Sequence, residues 1–157
     1  MLGLAAQWLG VNQTQANSVA PILISEEQGR HKSTFCRMLM PPQLARYYSD
    51  NLKLTAQGNP ERLLAEMGLL NMDEFDKFGA QKMPLLKNLM QMSSLNICKA
   101  YQKNFRSLPR IASFIGTSNR TDLLCDPTGS RRFICIEAEH DIDCTGIEHS
   151  QIYAQLK

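Results

Sequence analysis

The chain has 157 residues, 43% of them apolar and 20% charged, with a formal net charge of +2 and a mean hydropathy of −0.27. That is about one domain's worth of ordinary globular sequence, and without a run of some 18 apolar residues it offers nothing to span a bilayer. Five cysteines, at 36, 98, 125, 135 and 144, form no CxxC pair and are odd in number, so free thiols in the reducing cytoplasm are expected rather than a disulfide framework or a zinc site.

The opening stretch MLGLAAQWLG is apolar but lacks a basic leader, and reads as a short packing helix within a lead-in of residues 1–19 rather than as a secretory signal. Residues 20–157 then read as a single core. APILIS (20–25) is a compact apolar run, and after SEEQGRHKST (25–34) the residues Phe35, Met38 and Leu39 fall at helical spacing until Pro41 and Pro42 stop them: strand, loop, helix. Asn59 and Pro60 start a second helix over ERLLAEM, and Gly68 ends it. GLLNM predicts a second buried strand with Asp73 and Glu74 at its C-terminal end. Pro84 opens a helix over LLKNLMQM whose leucine and methionine stripe belongs in a core.

In SSLNICKAYQKNFRSLPR, Leu95 and Ile97 alternate with polar residues and QKN supplies a turn, the pattern of a basic hairpin. IASFIG is a third apolar strand ended by TSNRTD, and RRFICIEAE a fourth. HSQIYAQLK starts a helix without finishing it, so the sequence reads as part of a longer protein. Strands alternating with helices imply an α/β fold with a mostly parallel sheet covered on both faces.

The charge is unevenly spread: residues 77–121 hold eight basic groups (Lys77, Lys82, Lys87, Lys99, Lys103, Arg106, Arg110, Arg120) and no acidic one. A tract of that kind suits a polyanionic partner. The plainer alternative is a set of lysines on exposed helix faces, since sequence order alone does not put them on one surface.

The loop of residues 25–34 carries the candidate chemistry. A phosphate loop curls backbone N–H groups around a β-phosphate, sends a lysine to the β and γ oxygens and gives the next Ser or Thr to magnesium. Lys32, Ser33 and Thr34 supply that ending, with Gln28, Gly29, Arg30 and His31 lining the approach. The pattern G-x-x-x-x-G-K-[ST] would place glycines where Glu26 and His31 stand. Histidine is among the residues that tolerate positive φ, and the amides opening the helix near Lys32 attract an anion; a carboxylate at 26 repels one unless it points away.

Three further elements bear on the loop. Asp73 and Glu74 at a strand end suit magnesium orientation and proton acceptance respectively, or else a turn cap. Asn119, ending the third strand, can hold an attacking water or simply make a turn. Arg131 and Arg132, entering the fourth strand, can stabilise charge on a transferring phosphoryl group, including from a neighbouring subunit, or merely solvate an edge. EAEHDIDC (137–144) matches no structural zinc spacing and reads as a solvated strand end.

Taken in order, QGRHKSTF, LLNMDEFDKF, YQKNFRSLPR, FIGTSNRTDLL and DPTGSRRF resemble the virulence-associated protein E family, P-loop ATPases of mobile elements related to superfamily three helicases, over residues 20 to the end. The resemblance implies an additional-strand P-loop NTPase fold with ATP and Mg2+ as cofactors. It makes Lys32, Ser33 and Thr34 the phosphate and magnesium ligands, Asp73 and Glu74 the Walker B pair, Asn119 the sensor, and Arg131 or Arg132 the finger. It also implies that the segment before the sensor strand, with Lys99, Tyr101, Lys103 and Arg106, touches DNA from a hairpin, in a head-to-tail ring of subunits. Tyr101 would stack on a base or pack the hairpin. The implied function is a DNA-associated, helicase-like ATPase module of a mobile-element replication protein. The departures at Glu26 and His31 motivate the alternative of a non-catalytic module that binds DNA or a protein partner. A small-molecule kinase would leave the basic tract unexplained.

Overall fold

The computed structural model describes residues 1–10, 16–98, 105–120, 122 and 131–156, with the side chains of 56 and 98 also left out of the description. Five strands form one all-parallel sheet in the order β2-β3-β6-β1-β7, where β1 is Ala20–Ile24, β2 Tyr48–Ser49, β3 Leu69–Met72, β6 Ser113–Ser118 and β7 Phe133–Glu137. A separate antiparallel pair, β4 (Ser94–Cys98) and β5 (Phe105–Pro109), makes the hairpin. The α/β expectation holds, with the four long strands where the apolar runs put them. β2 was not anticipated: two residues of an edge strand carry no periodicity to read.

The runs are apolar on both faces because both faces are covered. On one side lie α3 (Pro60–Glu66) and α4 (Met83–Leu89), whose Leu64, Leu86 and Leu89 pack against Ile22, Ile24, Leu70, Met72 and Phe114. On the other lie α1 (Leu2–Leu9), α2 (Lys32–Met38) and α5 (His149–Ala154), bringing Leu4, Cys36 and Tyr153 against Leu23, Leu69 and Ile115. The lead-in helix α1 is thus part of the core: Trp8 donates from Nε1 to the Gly68 carbonyl at 3.0 Å and stacks on Tyr153 with ring centroids 6.0 Å apart.

β6 is inserted between β1 and β3, pairing Ile22 with Gly116 on one side and Met72 with Gly116 on the other. Glycine suits the close fit, since a Cβ on Gly116 would sit 2.6 Å from Ile22 Cδ1 and 3.3 Å from the Met72 carbonyl and would have to displace the buried end of Ile22. The insertion brings the C-terminal tips of β1, β6 and β3 side by side. In parallel sheets such tips, where loops leave toward helices, are where ligands bind.

Arg110 departs from the charge-tract picture. It is 1% exposed and donates to the carbonyls of Met90 (3.0 Å), Leu89 (3.5 Å) and Asn17 (2.6 Å) and to Gln7 Oε1 (3.4 Å), while Gln7 Nε2 returns a bond to the Arg110 carbonyl. Its charge braces α1 to the end of α4 and is not offered to a surface partner. Among the described residues, no helix is long and apolar enough to cross a membrane.

Candidate functional site

A pocket of about 370 Å³ opens at the strand tips, lined by residues 28–34, by Asp73 and Glu74, and by Thr117, Ser118 and Asn119. Three segments far apart in sequence therefore converge on one hollow. The first is the loop between β1 and α2. Gly29 has φ 85 and His31, just before α2, has φ 57; the left-handed turn that a second glycine would supply is taken by a histidine. Glu26 is exposed at the start of this loop.

Lys32, first residue of α2, is 8% exposed. Its ammonium donates to Asn119 Oδ1 at 2.9 Å and to the carbonyls of Ser25 and Glu27 at 3.2 and 3.3 Å. Burial, and next the neighbouring Arg30, hold its pKa below the ordinary lysine range, while Asp73 pulls it back up. One residue on, Ser33 Oγ donates to Asp73 Oδ1 at 2.7 Å, joining the first turn of α2 to the tip of β3. Thr34 lines the same wall but is exposed.

Thr117 was missed as a site residue by sequence reasoning, which saw only a strand end. It donates to Asp73 Oδ1 at 2.6 Å and accepts from the Glu74 amide at 3.4 Å, fixing both acids from the strand between them and the loop. Its signal is positional: a hydroxyl two residues before Asn119 on a strand that the topology places beside Asp73. Glu74 itself has φ 51, a left-handed turn, and Lys77 Nζ lies 2.5 Å from Glu74 Oε2. Next to them Ser118 Oγ donates to Asp76 Oδ1 at 2.9 Å.

Gln28 and Arg30 also line the pocket, but the Arg30 guanidinium is bound to Glu27 and to the Glu139 carbonyl, both at 2.6 Å. Arg131 and Arg132 are not brought to it. They precede β7, where the Arg132 carbonyl accepts from the Ala20 amide at the opposite end of β1, five residues from the pocket tip. At about 3.3 Å per residue that is a separation of roughly 17 Å.

Of the hairpin residues singled out for nucleic acid, Lys99, Tyr101 and Lys103 lie outside the described residues. Arg106 is exposed on β5. The register pairs Leu95 with Leu108 and Ile97 with Arg106 on the face turned to the core, so Phe105 and Ser107 occupy the outer face. Phe105 is 71% exposed. An aromatic in that position is a second residue the sequence reading passed over.

Among curated proteins, none matches this sequence closely enough to count as a relative. Among solved structures, the chain is similar to the C-terminal region of NrS-1 in its apo state, at 21% identity and a TM-score of 0.60, with 98% of this chain and 39% of that one covered. Two A-form apo structures of the same region give TM-scores of 0.57 and 0.55 at 22% and 19% identity. The chain thus spans roughly two fifths of the length of these neighbours, and shares their fold. Residues 10–157 match the description "Virulence-associated protein E-like domain", which covers nearly the whole sequence: the chain belongs to the virulence-associated protein E-like family.

Proposed function

We propose that this domain is a P-loop NTPase of the additional-strand type, a magnesium-dependent ATPase module of a mobile-element replication protein that works on DNA as a head-to-tail ring. The observation that carries the reading is the 2.7 Å bond from Ser33 to Asp73 beside the buried ammonium of Lys32. A hydroxyl and a carboxylate in direct contact are the oxygen donors that a hard, octahedral cation takes. The insertion of β6 between β1 and β3 supports the fold type.

The residues fit a magnesium nucleotide. Magnesium would be held by Ser33 and Asp73, and when bound it neutralises charge on the phosphate oxygens. The chain's own groups do the rest. Loop amides of residues 28–32 face the phosphates, and Lys32 exchanges its bond to Asn119 for phosphate oxygens. Asn119, freed of the ammonium, orients the attacking water through its neutral amide. Glu74 accepts the water's proton, for which it must leave Lys77. Arg131 or Arg132, remote from the pocket of its own chain, supplies transition-state charge to the next subunit. In the hairpin, Lys99, Lys103 and Arg106 meet backbone phosphates, and Tyr101 and Phe105 offer stacking faces to single-stranded bases.

The test is DNA-stimulated phosphate release. Lys32→Ala and Arg132→Ala should each abolish it; turnover retained in both variants overturns the reading. A second reading, a non-catalytic module of the same fold, is favoured by the Glu74–Lys77 pair, which occupies the base. Titration with magnesium-ATP by calorimetry separates the two: no heat, with DNA binding intact, favours the non-catalytic module.

A further inference from the structure

We infer that a side-chain clamp centred on Arg30 gives the loop of residues 25–31 its shape, which makes Arg30 a positioning residue rather than a phosphate ligand. The inference deepens the phosphate-loop reading above and rests on it for its nucleotide readout. A loop that turns its amides inward needs left-handed residues, and glycine is the residue that adopts them freely. Here only Gly29 is glycine, and His31 takes its left-handed φ of 57 with a side chain attached. Side-chain bonds then have to help hold that conformation, and Lys32 Nζ and Ser25 Oγ already bond the loop carbonyls of Ser25 and Glu27.

Arg30 is placed to do so. Its side chain is 16% exposed. The guanidinium fork donates from Nη2 to Glu27 Oε2 and from Nη1 to the Glu139 carbonyl, both at 2.6 Å, with Asp141 at 4.0 Å. The first bond closes the loop on itself; the second fastens it to the segment after β7. That segment is itself fixed. The Ala138 amide donates to the Ile24 carbonyl at 2.8 Å and the Ile142 amide to the Arg30 carbonyl at 3.3 Å. Farther on, His149 Nε2 donates to the Met38 carbonyl at 2.7 Å and Tyr153 Oη to the Leu39 carbonyl at 3.1 Å, so residues 138–153 hold α2 at its far end too. With Glu27 on one side and Asp141 near the other, the guanidinium charge is met within the loop region itself. A planar fork makes these two bonds at once; an ammonium does not.

The two roles predict opposite signs at Glu27. If Arg30 were a phosphate ligand, Glu27→Ala would free the guanidinium, remove a carboxylate near the anion and tighten magnesium-ATP binding. The clamp predicts that Glu27→Ala and Arg30→Ala each weaken it about tenfold in calorimetry. It also predicts that the double variant is no weaker than either single one, because both break the same device, and that Arg30→Lys fails to rescue. Tighter binding in Glu27→Ala, or additive losses, would overturn it. Hydrogen exchange without nucleotide supplies an independent reading: amides of residues 27–33 should exchange about tenfold faster in both variants, with β1 and β6 unchanged. Unaltered loop exchange sinks the clamp. Accelerated exchange in a protein that binds no nucleotide supports the clamp and sinks only the nucleotide reading.

Discussion

Among the described residues two cations are buried, and their surroundings differ. Lys32 and Arg110 are 8% and 1% exposed, and the contacts described for both heads are to carbonyl or amide oxygens. Arg110 spends four bonds on main-chain carbonyls and Gln7 deep between α1 and α4, and lies over Phe114 at 5.5 Å. Burial pushes its pKa down to about 10, which leaves it charged at neutral pH. Lys32 sits at the wall of an open pocket, and its nearest partner is a side-chain oxygen, Asn119 Oδ1, that can turn away. Both ammonium and guanidinium also bond main-chain carbonyls, Ser25 and Glu27 in the case of Lys32, so the difference lies in the open pocket and the Asn119 side chain beside Lys32, the contact that phosphate oxygens would replace on the function proposed above.

Substitution should separate the two most sharply at Arg110 itself. Arg110→Met removes the guanidinium donor from the carbonyls of Leu89, Met90 and Asn17, and should cost on the order of 3 kcal/mol in denaturant unfolding. Lys32→Ala, which also removes the desolvation penalty of a buried charge, should stay within about 1 kcal/mol of the parent while nucleotide binding is lost. Equal stability losses at the two positions would erase the distinction. Asn119→Asp is the subtler probe: a carboxylate 2.9 Å from the ammonium would fasten Lys32 in place. The expected outcome is a higher melting temperature with magnesium-ATP binding weakened about tenfold, and unchanged binding would show that the contact does not gate the pocket.

How much of this could be read from the sequence varies with the length scale of the signal. The four long strands and their helices announce themselves because apolar runs are punctuated by Pro41, Pro60, Gly68 and Pro84, and the acids at the end of β3 follow from the run that precedes them. Burial is a different matter. Nothing in SLPRIASF distinguishes Arg110 from the other bases of its tract, since a brace is defined by carbonyls of Leu89, Met90 and Asn17 that are distant in sequence. The roles of Thr117 and of the segment that bonds Arg30 are hidden for the same reason. A hydroxyl becomes a bridge only when β6 is known to lie beside β3.

The hairpin tests the comparison away from the pocket, because its cations should behave as exposed charges do. Arg106→Ala should lower the slope of log K against log salt for a single-stranded oligonucleotide by about 0.7. Phe105→Ala should weaken binding by about 1 kcal/mol or more at an unchanged slope, the mark of a stacked base rather than a phosphate contact. A slope change at Phe105 would contradict its assignment.

The last effect is confined to alkaline pH and lies on the buried face of α2, at Cys36. Burial, and secondarily Asp73, push the Cys36 thiol up to about 12, whereas an unfolded thiol ionises near 9. The folded pKa is the higher one, so the thiol's contribution is complete below pH 9 and is lost as pH rises from 9 toward 12, by at most about 1.4 kcal/mol per unit. Cys36→Ala should flatten that part of the stability curve; a difference between parent and variant that stays constant with pH would show that the thiol ionises freely in the folded protein.

Diffraction from crystals grown with Mn2+ and a non-hydrolysable ATP analogue would test the central assignment most directly. The account predicts anomalous density between Ser33 Oγ and Asp73, a triphosphate along residues 28–34, and Lys32 Nζ moved from Asn119 onto phosphate oxygens. Nucleotide bound elsewhere, or an empty pocket with Lys32 still on Asn119 at saturating ligand, would contradict it.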